Sequence, residues 1–229
     1  DFAALVAGWA VVSAVQAAAP AAVPRVLRYS FPVAETGFDP ARVDDLYSQT
    51  VTSHIFDGLY RYDPLARPFK VTPNVAVAMP EVSDGFRTWT VRIKPGIYFA
   101  DDPVFKGAKR ELVAQDYVYS VKRFYDPEVR SPIYQNVKEE GILGLEALRE
   151  EALRLKKPFD YDREVEGVRA IDRYTVQFRL ETPRPRFIYL IAQGGALGAV
   201  AREVIEAYAG STMEHPVGTG PFRLAQWRR

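Results

Sequence analysis

The chain has 229 residues, of which 48% are hydrophobic and 13% aromatic, so it can bury a core in one or two domains. Its 30 basic and 29 acidic residues leave a formal net charge of +1, and we therefore predict no nucleic-acid partner. The sequence contains no cysteine, which excludes disulfides and a thiolate nucleophile within it.

The first segment of the chain is apolar. Residues 2–22 carry no charged side chain, are rich in Ala, Val and Leu, and end in small residues around Ala17. This pattern is typical of the apolar region and cleavage end of a secretory signal peptide. We predict that residues 1–17 are part of a signal peptide. A membrane anchor is the alternative, because about 20 apolar residues can span a bilayer.

The central part of the chain predicts a strand, a turn and a helix. Residues 89–94 alternate apolar and polar side chains, which predicts a half-buried strand followed by a turn at 95–96. Residues 111–125 place apolar side chains at helical spacing, and Pro127 ends this helix.

Strands and helices also alternate in the second half. We predict a helix over 145–155, a strand over 174–180, a short helix from 187, and a helix over 201–209 that Gly210 closes. No unit of 20 to 50 residues repeats, so the predicted fold class is mixed α/β.

Residue types that catalyse reactions form no recognisable pattern. His54 and His215 have no metal-ligand spacing, and Ser53 lies in no Gly-x-Ser-x-Gly elbow. The acidic pairs at 44–45 and 101–102 have no catalytic spacing, and the second pair precedes a proline and predicts a turn. We therefore predict no catalytic residue, no metal and no cofactor.

Near the end, residues 215–224 read His-Pro-Val-Gly-Thr-Gly-Pro-Phe-Arg-Leu, which predicts a tight backbone before a β-like run. Six segments, taken in order, resemble extracellular solute-binding protein family 5, the binding proteins of peptide and nickel ABC transporters. They are Leu27–Tyr29 with Gly37–Pro40, Ile55–Tyr60, Trp89–Asp101, Ala114–Ser120, Ile171–Val176 and Gly218–Phe222.

This resemblance implies a type II periplasmic-binding-protein-like clamp, of which the chain would be the N-terminal half. Lobe one would be discontinuous, over 18–44 and 165–229, and would start with a strand near Leu27. An α/β subdomain would be inserted over 45–164. The second lobe would be missing, and the apolar surface meant for it would make the isolated chain aggregate or bind weakly.

The resemblance also implies a function. Family members close two lobes on a solute by hinge motion and deliver it to a membrane permease, and peptide-binding members hold an extended ligand. Because the chain starts with a predicted signal peptide and has no cysteine that could carry a lipid, we expect a soluble periplasmic protein without a lipid anchor, and we expect it to be a monomer. It would bind an oligopeptide or similar small solute, work with ABC permease subunits, and not be an enzyme.

The sequence departs from the family pattern at three places. The loop over 100–107 is longer, Gln115 replaces a usual glutamate, and Val113 stands where relatives often have threonine. Because valine cannot cap a helix through its side chain, we expect Arg110 or Glu111 to mark the start of the helix.

The resemblance places candidate ligand-binding residues in three segments. Asp44 would lie near the backbone or amino end of a peptide, flanked by Asp45, Leu46 and Tyr47. Ile133 or Tyr134 would pack against the ligand, and Gln193 with Gly194 and Gly195 would face the cleft, where glycines let a ligand backbone approach. The alternatives are a solvated carboxylate for Asp44, core packing for Tyr134 and a simple turn at 193–195.

Other functions remain open at this point. The same fold could bind nickel chelates, oligosaccharides or murein peptides, and a sensor or chaperone-like protein would bind partners without taking part in import. The third hypothesis is a secreted enzyme with an unfamiliar site, and it would be supported if the protein turned over any substrate.

Overall fold

The computed structural model describes residues 25–228, so the predicted signal peptide over 1–17 lies outside the described residues. The chain divides into two units, over 1–32 and 33–229. In the first unit, residues 25–32 form no strand, contrary to the strand expected near Leu27. An extended segment becomes a strand only when its backbone groups pair with a neighbouring strand, and the described ladders do not include this segment.

The second unit contains seven α-helices and six strands within its described residues. The helices are α1 (Leu46–Ile55), α2 (Ala114–Tyr125), α3 (Tyr134–Lys138), α4 (Leu145–Leu155), α5 (Phe187–Leu190), α6 (Gly194–Leu197) and α7 (Arg202–Ala207). The strands are β1 (Tyr60–Tyr62), β2 (Val71–Pro73), β3 (Glu81–Ser83), β4 (Thr88–Arg92), β5 (Val168–Asp172) and β6 (Thr175–Arg179). The mixed α/β class is confirmed.

The main sheet has four antiparallel strands in the order β3-β4-β6-β5, and β1 pairs with β2 in a separate hairpin. Trp89 lies opposite Phe178 and Val91 opposite Val176, and all four side chains are buried. The alternation in the sequence therefore identified the core face of β4 correctly. The sheet crosses the predicted boundary at 164/165, because β4 pairs with β6, and the division into lobe and insertion stays a prediction.

Helix α2 packs on β5 and β6 and is buried along most of its length. It begins at Ala114, three residues later than predicted, and neither Arg110 nor Glu111 marks its start. Instead, the Asp116 carboxylate accepts a hydrogen bond from the Val113 N–H at 2.8 Å. The cap is thus supplied from inside the helix, which is half of a capping box.

Two predictions near the C-terminal end need correction. Helix α7 ends at Ala207, before the predicted Gly210, and residues 222–224 form no strand. The N–H groups of Gly220 and Phe222 donate to the carbonyls of Ile55 and His54, at 2.8 and 3.1 Å. These are carbonyls in the last turn of α1 that need partners. The 215–224 segment therefore completes the end of a helix rather than joining a sheet.

A buried ion pair ties the start of the second unit to α2. Arg123 donates from both terminal nitrogens to the two carboxylate oxygens of Asp39, at 2.8 and 2.7 Å. The Arg123 and Asp39 side chains are 3% and 0% exposed. Burial alone would raise the pKa of Asp39, but the Arg123 guanidinium, together with hydrogen bonds from Thr212 and the Ala41 N–H, outweighs burial and lowers the pKa.

Candidate functional site

Two adjoining clefts form the candidate site. The first, here called the Asp44 cleft, has a volume of about 690 Å³, and the second, the Gly194 cleft, about 550 Å³. Gln49 and Gln193 line both clefts. The Asp44 cleft is also lined by Asp44, Ile133, Glu140 and Arg186, and the Gly194 cleft by His54, Asp57, Asn74 and Gly194.

The two neighbouring aspartates at the start of α1 have different surroundings. Asp45 is the N-cap, and its carboxylate accepts hydrogen bonds from the Ser48 N–H at 2.8 Å and the Thr36 hydroxyl at 2.6 Å. Burial acts to raise the pKa of Asp45, but hydrogen bonds from the Ser48 side chain and N–H, from Thr36 and from the Tyr47 N–H together outweigh burial and lower the pKa. Asp44 is exposed, lines the cleft, and has no hydrogen-bond or ion-pair partner among residues 25–228. Of the two, Asp44 is the carboxylate available to a ligand.

The segment before α3 places its two candidate residues differently. Ile133 lines the Asp44 cleft, whereas Tyr134 is turned toward α4. The Tyr134 hydroxyl donates to the Glu146 carboxylate at 2.7 Å, and the Arg149 guanidinium lies 4.1 Å from the centre of its ring. The structure therefore does not bring Tyr134 together with Asp44. Tyr47 is half-buried in the first turn of α1 and lines neither cleft.

Gln193 and Gly194 lie where α1 and α6 pack closely. Gln193 lines both clefts and is the N-cap of α6, and Gly194 lines the second cleft. A Cβ built on Gly194 would lie 2.9 Å from the Gly58 nitrogen, and one on Gly195 would lie 2.8 Å from the Gln49 carbonyl oxygen. These glycines allow the chain's own backbone segments to approach each other, a role that the sequence analysis did not assign to them.

A hydrogen-bond network around Asp57 was missed by the sequence analysis. The Asp57 carboxylate accepts from the Asn74 amide and the Thr219 hydroxyl, both at 2.9 Å. Its backbone carbonyl accepts from the Tyr117 hydroxyl at 2.8 Å. Asp57 and Thr219 belong to two of the family-like segments, and this was the available signal. The network holds Asp57 and Asn74, which line the Gly194 cleft, and leaves the Asp57 carboxylate already hydrogen-bonded.

The Asp44 cleft also carries charges that the sequence analysis did not single out. Glu139, Glu140 and Arg186 line it together with Asp44. Burial raises the pKa of Glu140, the Arg184 guanidinium opposes that change, and the neighbouring Glu139 adds to it. The cleft can therefore offer carboxylates to an amine or guanidinium, and a guanidinium to a carboxylate, with amides between them.

The described part of the chain contains neither a metal-ligand cluster nor a membrane-spanning helix. Among residues 25–228, no group of three or more His, Asp or Glu side chains could hold a metal ion. Over the same residues, no helix has the length and apolar character that crossing a membrane requires.

Comparison with solved structures identifies the class of fold. Haemophilus influenzae OppA in complex with RPPGFSPFR gives a TM-score of 0.68 at 23% identity, over 84% of this chain and 34% of OppA. The Escherichia coli murein tripeptide binding protein MppA gives 0.65 at 26% identity, over 83% of this chain and 33% of MppA. The chain thus has part of the fold of the type II periplasmic binding proteins.

Comparison with sequences identifies the family. The family model of the bacterial extracellular solute-binding proteins, family 5 Middle, matches residues 70–229. The glutathione-binding protein GsiB of Pectobacterium atrosepticum is 26% identical over 194 residues, which are 85% of this chain and 30% of GsiB. GsiB of Escherichia coli O1:K1 is 27% identical over 194 residues, 85% of this chain and 31% of GsiB.

The chain belongs to the bacterial extracellular solute-binding proteins of family 5. It spans about a third of the length of the curated relatives it matches, a smaller share than the half that the sequence analysis expected. These relatives are named as binding proteins.

Proposed function

We propose that the chain is part of the solute-binding component of an ABC importer, which captures an oligopeptide or a solute of similar size and delivers it to a membrane permease. One observation carries the proposal: Asp44, Ile133 and Gln193, which are far apart in the sequence, line a single cleft in a chain of family 5. Its volume, about 690 Å³, is within the usual range for small-ligand sites.

The cleft offers suitable groups for a peptide. The free Asp44 carboxylate would pair with an amino group, and the Gln49 and Gln193 amides would hydrogen-bond to peptide N–H and C=O groups. In this proposal lobe one comprises 18–44 and 165–229, the insertion comprises 45–164, and hinge closure against a second lobe covers the ligand.

Short peptides are the preferred ligand class. GsiB is named for glutathione, which is a tripeptide, and MppA for a murein tripeptide. Nickel chelates and oligosaccharides are the alternatives that the same test addresses. The remaining parts of the proposal are export through the signal peptide, a soluble periplasmic location without a lipid anchor, a monomeric state, and docking to permease subunits.

The test is thermal melting of the full-length protein with di- to hexapeptides, glutathione, oligosaccharides and nickel chelates. A ligand that binds only the native state stabilises that state by about 2.7 kcal/mol when its concentration is a hundred times Kd. We expect short peptides to raise the melting temperature, and we expect this shift to be smaller in the Asp44→Asn variant. Glu150→Gln, an exposed carboxylate on α4 outside both clefts, is the matched control. A rise with sugars or chelates alone would contradict the peptide ligand.

A further inference from the structure

Three aromatic side chains form a partly exposed cluster beside the two clefts. Tyr62 ends β1, Phe69 precedes β2, and Tyr189 belongs to α5. Tyr62 lines the Gly194 cleft and Tyr189 lines the Asp44 cleft. Tyr62 is 42% exposed and Phe69 63%. The cluster thus places ring surface in contact with solvent at the edge of the proposed site, where a ligand could cover it.

The ring geometry shows where a planar group can bind. Tyr62 and Tyr189 are nearly parallel, with 14° between their planes and 6.3 Å between their centroids. Phe69 meets Tyr62 at 6.1 Å and Tyr189 at 5.8 Å, edge-on in both cases. A planar group inserted between the tyrosines would need about 7 Å, that is two carbon contacts of about 3.5 Å. A ligand group would therefore stack on an outer face of the pair.

The two tyrosines also have free polar ends. Among residues 25–228, neither the Tyr62 hydroxyl nor the Tyr189 hydroxyl has a hydrogen-bond partner. Burial and then the neighbouring Tyr189 raise the pKa of Tyr62, so its hydroxyl stays protonated at neutral pH. Each hydroxyl can donate to or accept from a ligand.

The charge beside Tyr189 selects among planar groups. The described lining of the Asp44 cleft includes three carboxylates, on Asp44, Glu139 and Glu140, and one guanidinium, on Arg186. The Arg184 guanidinium acts on Glu140 from beside the cleft and offsets part of this charge. Carboxylates still outnumber guanidiniums by three to two, which favours a cationic ligand group over a neutral ring. A guanidinium is planar, always charged and weakly hydrated, and it stacks on aromatic faces, whereas an ammonium is compact and strongly hydrated.

We propose that Tyr62, Phe69 and Tyr189 form a subsite for an arginine side chain of the bound peptide. The subsite lies beside the acidic wall of the Asp44 cleft, a name used here for the carboxylates of Asp44, Glu139 and Glu140. The proposal rests on the proposed function, since it assumes a peptide in the Asp44 cleft. Tyr189 provides the ring face on the cleft side, Tyr62 and Phe69 hold that ring in place, and the carboxylates attract the charge.

The test compares Gly-X-Gly tripeptides that differ in one side chain, with X as arginine, citrulline, lysine, phenylalanine or alanine. Citrulline keeps the planar shape of arginine and removes its charge. Calorimetric titration of the full-length protein should show the arginine peptide binding roughly tenfold more tightly than the citrulline, lysine and alanine peptides. The preference should shrink as salt concentration rises, because the carboxylates are partly exposed.

Variants separate the ring from the charge. Tyr189→Ala should remove most of the tenfold ratio between the affinities for the arginine and alanine peptides, whatever it does to their common affinity. Tyr189→Phe should keep this ratio because the ring face remains. Tyr98→Ala, at another exposed tyrosine that lines neither cleft, is the matched control. Circular dichroism melts verify that each variant is folded.

Three results would overturn the arginine subsite while leaving the proposed function intact. They are equal affinity for arginine and citrulline peptides, tightest binding of the phenylalanine peptide, and loss of affinity for all peptides alike in Tyr189→Ala. If none of these tripeptides binds, the subsite fails. The peptide-binding function fails with it only if no di- to hexapeptide raises the melting temperature either.

Discussion

At the scale of single residues, two adjacent aspartates at the start of α1 have different surroundings. Asp44 and Asp45 are the same residue type in adjacent positions, yet Asp45 caps α1 and Asp44 has no partner among residues 25–228. The sequence could nominate the pair but not assign the roles, because the N-cap depends on where the first helical turn begins. Likewise Tyr134 suits a ligand contact by its chemistry, and only the positions of Glu146 and Arg149 show that its ring faces α4.

The buried Asp39–Arg123 pair gives a stability prediction at the same scale. Removing one partner leaves an uncompensated buried charge, so Arg123→Met should lower the free energy of unfolding by about 3–5 kcal/mol. The double variant Asp39→Asn with Arg123→Met should cost less than the two single variants added together. Urea unfolding of the full-length protein measures these differences.

An exposed ion pair provides the control. Arg92 and Glu81 side chains are 66% and 70% exposed, and their atoms lie 3.2 Å apart. Arg92→Met should therefore change stability by no more than about 1 kcal/mol. Equal effects of Arg123→Met and Arg92→Met would contradict the role given to the buried pair.

The same pair predicts how stability depends on pH. The folded-state pKa of Asp39 lies below its ordinary value of 3.8, so the pair's contribution is fully present above that value. It is lost as pH falls through the folded-state pKa, where Asp39 becomes protonated. The free energy of unfolding of the wild type minus that of the double variant should be constant from pH 5 to 7 and should decrease in stronger acid. Urea unfolding at each pH measures this difference. A difference that grows on acidification would oppose this sign.

At the scale of elements, the sequence predicted the middle of each helix and strand more accurately than its ends. The alternation in β4 and the apolar spacing in α2 and α4 reflect burial on one face, and the structure has those elements. The predicted start of α2 was wrong because Asp116 caps this helix from within. The β-like run expected at the end of the 215–224 segment was wrong because the backbone there bonds to the end of α1. The ends of helices and strands depend on hydrogen-bond partners that can be distant in the sequence, and a local pattern of residues does not reveal those partners.

The packing of α1 on α6 gives a prediction for an element pair. A Cβ on Gly195 would lie 2.8 Å from the Gln49 carbonyl oxygen, so the backbone must shift to admit it. Gly195→Ala should lower the free energy of unfolding by about 1–3 kcal/mol, as overpacking does, in urea titration of the full-length protein.

Gly210→Ala is the matched control for this substitution. No atom lies within 4 Å of a Cβ built there, and stability should change little. If Gly195→Ala were as well tolerated as Gly210→Ala, close packing would not be the reason for glycine at 195.

At the scale of the whole molecule, the Asp44 cleft joins three segments, around 44–49, 132–140 and 186–193. Composition and periodicity contain no information on which segments meet, and the nomination of Asp44, Ile133 and Gln193 came from the family resemblance. The structure brings these three together, and separates Tyr134 from them. The acidic wall and the aromatic cluster emerge only at this scale, since their residues come from several elements.

The most direct measurement is calorimetric titration of the full-length protein with the short peptide that raises its melting temperature most. We predict saturable binding, with Kd increased roughly ten- to a hundredfold by Asp44→Asn, as expected for a lost charge-assisted hydrogen bond, and unchanged by Glu150→Gln. No saturable heat with any di- to hexapeptide, or the same Kd for wild type and Asp44→Asn, would contradict it.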